Sequence, residues 1–135
     1  TNSRDFTYID NVIQANLLAA AVPSAIFKER MKEYQANTAG VPGINEGATI
    51  SEVFNVAYGE RTSLNELAAA IKEGLSNYDP VIAAISFQYG PNRPGDVAHS
   101  MASIDKGKTI LGYAPQYSFQ TGLKEACAWY WENLI

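Results

Sequence analysis

One cysteine and one histidine in 135 residues leave too few thiolates and imidazoles for a metal centre built on them, and none is expected. Cys127 has no partner for an internal disulfide and sits in "EACAW" among alanines and a tryptophan, which reads as a buried structural thiol. Serine-type catalysis would need His99 against a serine. Ser100 adjoins it, but neighbours in an extended loop point to opposite sides, and no strained G-x-S-x-G turn occurs. No apolar run approaches the roughly 20 residues that cross a bilayer, so no membrane role is expected. Nor is there a basic excess: ten Lys and Arg stand against fourteen Asp and Glu. The one basic cluster, Lys28, Arg30 and Lys32, is balanced by Glu29 and Glu33, which argues against a nucleic-acid surface. No charged-then-apolar leader opens the chain. It starts abruptly on "TNSRDFTYID", as a piece of something longer would, and a cytoplasmic setting is expected.

What is present reads as a single α/β unit spanning 1 to 135, α+β when taken as an isolated piece, with about five helices and few short strands. "FTYI" at 6 to 9 predicts a strand running into a mostly buried helix over 11 to 22 that Asp10 can cap. After Pro23 a more charged, amphipathic helix is predicted from Ser24 to about residue 35, with Phe27, Met31 and Tyr34 on one side. The glycine-rich stretch 37 to 49 is a predicted loop. Gly40, Gly43 and Gly47 imitate a dinucleotide fingerprint, yet no hydrophobic strand precedes them and no apolar helix follows. "EVFNVAY" at 52 to 58 predicts a strand, and "SLNE" after it predicts a helix opened by a Ser63–Glu66 capping box. Its expected buried stripe is Leu64, Leu67, Ala68, Ile71 and Leu75. "AISFQY" at 84 to 89 predicts another strand. Two further helices are expected, over 104 to 111, stopped by Gly112, and over about 120 to 134.

Chemistry concentrates in "YGPNRPGDVAHS", residues 89 to 100. Pro94 and Gly95 form a turn pair that fixes the spacing of Arg93 and Asp96. A rigid arginine offers a phosphate two parallel donors, and a carboxylate can accept from sugar hydroxyls. Arg4, at the mouth of the first strand, could reach an oxyanion or pair with Asp5 or another acid.

"RDFTYIDNVIQANLLAA", "FNVAYGERTSLNEL" and "RPGDVAHSMASIDKGKTILGYAPQYSFQTGLKEACAWYWENL" together resemble the C-terminal part of extended short-chain dehydrogenase/reductase proteins. The nearest look is that of bacterial UDP-N-acetylglucosamine 4-epimerases. The resemblance covers nearly the whole chain, with residues 24 to 50 as an atypical helix and glycine-rich insertion. It implies a Rossmann-type fold without a complete dinucleotide-binding domain, a UDP-sugar ligand, and NAD as cofactor in the full-length family. It also implies that Arg4 and Arg93 bind the diphosphate, that Asp96 holds the ribose hydroxyls, and that Ser100 lines the hexose pocket. A small residue at that last position leaves room for an acetamido group. His99 matches no catalytic position of the family. The family's catalytic tyrosine lies in a Tyr-x-x-x-Lys motif, and none of the eight tyrosines here has a lysine four residues on. No catalytic or NAD-binding residue is therefore assigned, and this chain alone is not expected to epimerise a sugar. Two alternatives stay open: a non-catalytic module that binds sugar nucleotides or proteins, and part of a related nucleotide-sugar dehydratase or decarboxylase. Apolar surface made to face an absent half leaves a homodimer among the expected partners.

Overall fold

A computed structural model describes residues 2–41, 51–91 and 94–134. The described residues form five helices and one two-stranded sheet: β1 (Ser3–Arg4), α1 (Ile9–Ala21), α2 (Ser24–Asn37), β2 (Thr62–Ser63), α3 (Leu64–Ser76), α4 (Asp105–Leu111) and α5 (Phe119–Leu134), with a 3₁₀ turn at Pro80–Ala84. This is the mixed α/β, helix-rich piece expected. β1 and β2 run antiparallel, with Ser3 opposite Ser63 and Arg4 opposite Thr62, and His99 adds a single parallel bridge to Ser3.

Pro23 sets the angle between the first two helices. It lacks an N–H and pushes the residue before it out of the helical region, so Val22 turns extended (φ −65°, ψ 123°) and the chain bends by 111° into α2. α2 then lays Phe27 and Met31 against Ile110 and Leu111 of α4, the amphipathic packing its spacing predicts. α2 begins at Ser24 as predicted, although Ser24, a residue able to cap, is its first helical residue and Pro23 occupies the N-cap position. A second cluster joins Ala15, Ala57, Ile104 and Tyr113, and Leu18 touches both clusters. α4 stops where predicted, because Gly112 takes φ 74°, a left-handed conformation that a Cβ would disfavour.

α3 opens with the predicted capping box: Ser63 Oγ accepts from the Glu66 amide at 3.2 Å, and the Glu66 carboxylate accepts from the Ser63 amide at 2.7 Å. Hydrogen bonding to the Glu66 carboxylate by the Ser63 hydroxyl, and then by the Ser63 amide, lowers the Glu66 pKa. The expected stripe is only partly covered, with Leu67, Ala68 and Leu75 half-buried and Leu64 and Ile71 exposed. α3 packs on α5, where Cys127 is buried as expected, and desolvation pushes its thiol up.

Three predicted strands do not form. Residues 6 to 8 are irregular, and α1 begins at Ile9, so Asp10 lies inside the first turn with Tyr8 at the N-cap. Residues 52 to 58 and 85 to 89 pair with no strand among the described residues. A strand is made by its ladder, and an alternating pattern without an adjacent edge leaves Val53 and Tyr89 exposed. α1 is also less buried than its sequence suggests. Asn11 and Ala15 are inside, while Ile9, Ile13 and Leu17 face out. Asn11 is buried because its amide donates to the Tyr117 carbonyl at 2.8 Å and its Oδ1 accepts from the Gln116 and Tyr117 amides at 3.0 and 3.1 Å. Toward the end of α5, Tyr130 and Leu134 are exposed. No single helix among the described residues is long and apolar enough to cross a membrane.

Candidate functional site

β1 brings the motif residues together. The Ser3 amide donates to the Ala98 carbonyl at 2.8 Å, and the Ser3 carbonyl accepts from the Ser100 amide at 3.2 Å. On its other edge β1 pairs with β2, and the Asn2 carbonyl accepts from the Leu64 amide at 2.9 Å. Arg4 is thereby carried to the loop that follows the Pro94–Gly95 turn, in which Gly95 adopts φ 78°. Positive φ is the reason glycine suits this turn.

Within this junction, Arg4 Nη2 meets Asp96 Oδ1 at 2.7 Å, across 92 residues of sequence. Arg4 therefore pairs with a distant acid and not with its neighbour Asp5. Asp5 instead accepts from the Tyr58 and Gly59 amides, at 3.2 and 3.1 Å, and fixes the turn that leads to β2. Arg4 Nη1 donates to the Ser3 carbonyl at 2.8 Å and the Ala98 carbonyl at 3.4 Å. The Arg4 and Asp96 side chains keep 29% and 37% of their surface, so solutes reach both. A pair this open contributes at most about 1 kcal/mol to folding. Its presence is better read as a property of the surface than as a staple of the fold.

Of the four residues expected to touch substrate, Arg4, Asp96 and Ser100 gather around β1, and Arg93 lies outside the described residues. His99, which the motifs leave without a role, has its Nδ1 2.9 Å from Ser3 Oγ and helps fix the register of the loop. Sequence reasoning passed over Asn2, whose amide donates to Asp96 Oδ2 at 2.7 Å. A single asparagine ahead of the motif carries no pattern by which to find it. Beside the junction, a cleft of about 570 Å³ is lined by Tyr58, Gly59, Glu60, Met101, Ser103 and Lys108, among others. Met101 is the residue after Ser100, and Tyr58 and Gly59 are the turn that Asp5 holds.

The start of α3 does not suit a pyrophosphate. β2 runs straight into α3, but the amides at that helix start are met by Ser63 and by the Glu66 carboxylate, a negative group where a pyrophosphate would have to sit. Among the described residues, no group of His, Cys, Asp and Glu could hold a metal ion.

No family model matches the chain. Individual proteins do. UDP-glucuronate 4-epimerase 3 of Arabidopsis thaliana is 31% identical over 130 residues, 96% of this chain and 26% of that protein. The dTDP-glucose 4,6-dehydratase of Escherichia coli is 30% identical over 111 residues, 74% of this chain and 27% of that protein. The UDP-glucose 4-epimerase of Halalkalibacterium halodurans is 33% identical over 81 residues, 59% of this chain and 22% of that protein. None of these three names an N-acetylated sugar. The chain spans about a quarter of the length of the curated relatives it matches. The relationship expected from its motifs thus holds at the level of the group: over most of its length this chain is homologous to one segment of the nucleotide-sugar 4-epimerases and dehydratases.

Proposed function

We propose that this chain is the nucleotide-sugar-binding part of an NAD-dependent 4-epimerase, a single unit that is inactive alone and works in the cytoplasm. The observation that supports it most is the meeting of Arg4 and Asp96 on one strand edge, 2.7 Å apart, beside Ser100. A guanidinium and a carboxylate at that spacing suit a ligand with an anionic group next to a diol, as a nucleoside diphosphate has. In this reading Arg4 and Arg93 bind the diphosphate, Asp96 binds the ribose, and Ser100 forms the hexose wall. NAD and the catalytic base belong to other parts of the full-length protein. The serine at position 100 favours UDP-N-acetylhexosamines over UDP-glucose and UDP-galactose, because it leaves space for an acetamido group.

Titration calorimetry with UDP tests the site. Arg93→Ala is expected to weaken binding about tenfold or more, the loss of one charge-assisted contact. Equal affinity for the variant and the parent would overturn the role of Arg93. Ser100→Tyr should impair UDP-N-acetylglucosamine more than UDP-glucose, and the reverse order would remove the acetylated sugar from the proposal. The match to a 4,6-dehydratase supports a second reading, in which the same site serves dehydration. Joining the chain to an NAD-binding half and analysing products separates the two: interconverted UDP-sugars support the epimerase, and a 4-keto-6-deoxy sugar supports the dehydratase.

A further inference from the structure

Arg4 is held asymmetrically. Nη1 is anchored by two backbone carbonyls, those of Ser3 and Ala98, whereas Nη2 is met by the Asp96 side chain. The anchor therefore keeps the guanidinium in place if the carboxylate swings away. Asp96 is also held from behind, since its second oxygen accepts from the Asn2 amide at 2.7 Å, and Asn2 is itself fixed to the start of α3 through its carbonyl. Any anion approaching Nη2 must compete with a carboxylate already engaged at both oxygens.

We infer that the Asn2–Asp96–Arg4 clasp is an exchange latch that selects nucleoside diphosphates over bare anions, with Asn2 as the residue that sets its strength. The inference rests on the proposed reading of this site. Asp96 contacts one guanidinium nitrogen only, so a phosphate that takes Nη2 and Nε as two parallel donors, leaving the Nη1 anchor in place, offers Arg4 a stronger contact than the one it displaces. The displaced carboxylate then needs partners. A nucleoside diphosphate supplies them, because its ribose diol donates two hydrogen bonds; inorganic pyrophosphate supplies none and adds like-charge repulsion. The latch thus acts against the wrong ligand more than for the right one.

The test compares pyrophosphate and UDP titrated calorimetrically into the 135-residue chain and its variants. Asp96→Asn keeps the shape and removes the charge. It is expected to bind pyrophosphate at least about fivefold tighter, the scale of one exposed ion pair, and UDP no tighter. Asn2→Ala should tighten pyrophosphate about twofold by loosening Asp96, with far-UV circular dichroism unchanged. Pyrophosphate binding that weakens or stays constant in Asp96→Asn would overturn the latch and make Asp96 a positioning residue for Arg4. The site reading would survive that outcome provided Arg4→Gln still lost UDP. UDP binding that is absent, or indifferent to Arg4→Gln, would instead overturn the site reading, and the latch with it.

Discussion

The side built by α1, α2 and α4 buries Ala15, Phe27, Met31, Ile110 and Leu111, whereas the stretch from Pro80 to Met101 buries none of its described residues. The first side is held by apolar area removed from water. The part of the second that carries Asp96 and Ser100 is held by two backbone hydrogen bonds to Ser3, the Ser3–His99 contact, the Asn2–Asp96 bond and the contacts of Arg4 with Asp96 and Ala98, while its start rests on α3 through the Pro80–Ala84 turn and the Lys72 bond to the Ile85 carbonyl. Those links are short-range and worth little each, so the loop that carries Asp96 and Ser100 can shift its side chains without disturbing the core. Sites that must exchange partners are drawn from this weaker end of a structure, and the core supplies a fixed frame for β1.

Mutations that separate stability from binding sharpen this contrast, and the largest effect belongs to the packed side. Ile110 has 0% of its surface exposed, so Ile110→Ala should lose about 3 kcal/mol in urea unfolding while the folded protein keeps its affinity for UDP. A matching loss of affinity at temperatures where the variant is folded would break the division. Gly122 comes next. A Cβ there would lie 2.6 Å from Tyr8 Cβ, so Gly122→Ala should cost about 2 kcal/mol by overpacking α5 against the chain before α1. A variant as stable as its parent would mean that this contact yields readily.

Tyr113 offers a smaller effect with a pH signature. Its hydroxyl donates to the Ala57 carbonyl at 2.8 Å, and Tyr113→Phe, which orphans that buried acceptor, should cost about 1 kcal/mol. Burial, with the Asp5 charge adding to it, raises the Tyr113 phenol. The unfolded chain then ionises first, so this contribution is complete below about pH 10 and is lost as pH rises through the folded value. Tyr113→Phe should accordingly flatten the alkaline fall in stability. An unchanged alkaline slope would show that the other raised groups, Tyr8 and Cys127, carry it.

What the chain reveals before folding follows the same divide between local and distant causes. The Ser63–Glu66 box, the stop at Gly112 and the Phe27–Met31 face are legible because each depends on residues within four positions. Strands over 52 to 58 and 84 to 89 are misread because pleated pairing depends on an edge that a local pattern cannot supply. The exposed Ile13 and Leu17 show the same limit for a helix: spacing predicts a mostly buried helix over 11 to 22, but the backbone of residues 116 and 117 draws Asn11 inward instead. In the candidate site, Arg4 and Asp96 are each visible through their motifs. Their pairing across 92 residues is not, and neither is the hold of Asn2 on Asp96.

The smallest expected effect falls on the loop itself. Ser3→Ala removes the hydroxyl that meets His99 Nδ1 at 2.9 Å but leaves both backbone hydrogen bonds of Ser3 intact, and the exposed imidazole can turn to water. Global stability should fall by no more than about 0.5 kcal/mol, as for a half-open polar contact. Hydrogen exchange at the Ser100 amide reports more directly, because that proton is held by the Ser3 carbonyl and is released by local opening of the loop. Faster exchange at Ser100, with rates in α4 unchanged, is what a loop tied by polar links alone requires. A loss above about 2 kcal/mol, or exchange that quickens in α4 and at Ser100 together, would mean that the loop unfolds with the core and that the two sides form one cooperative unit.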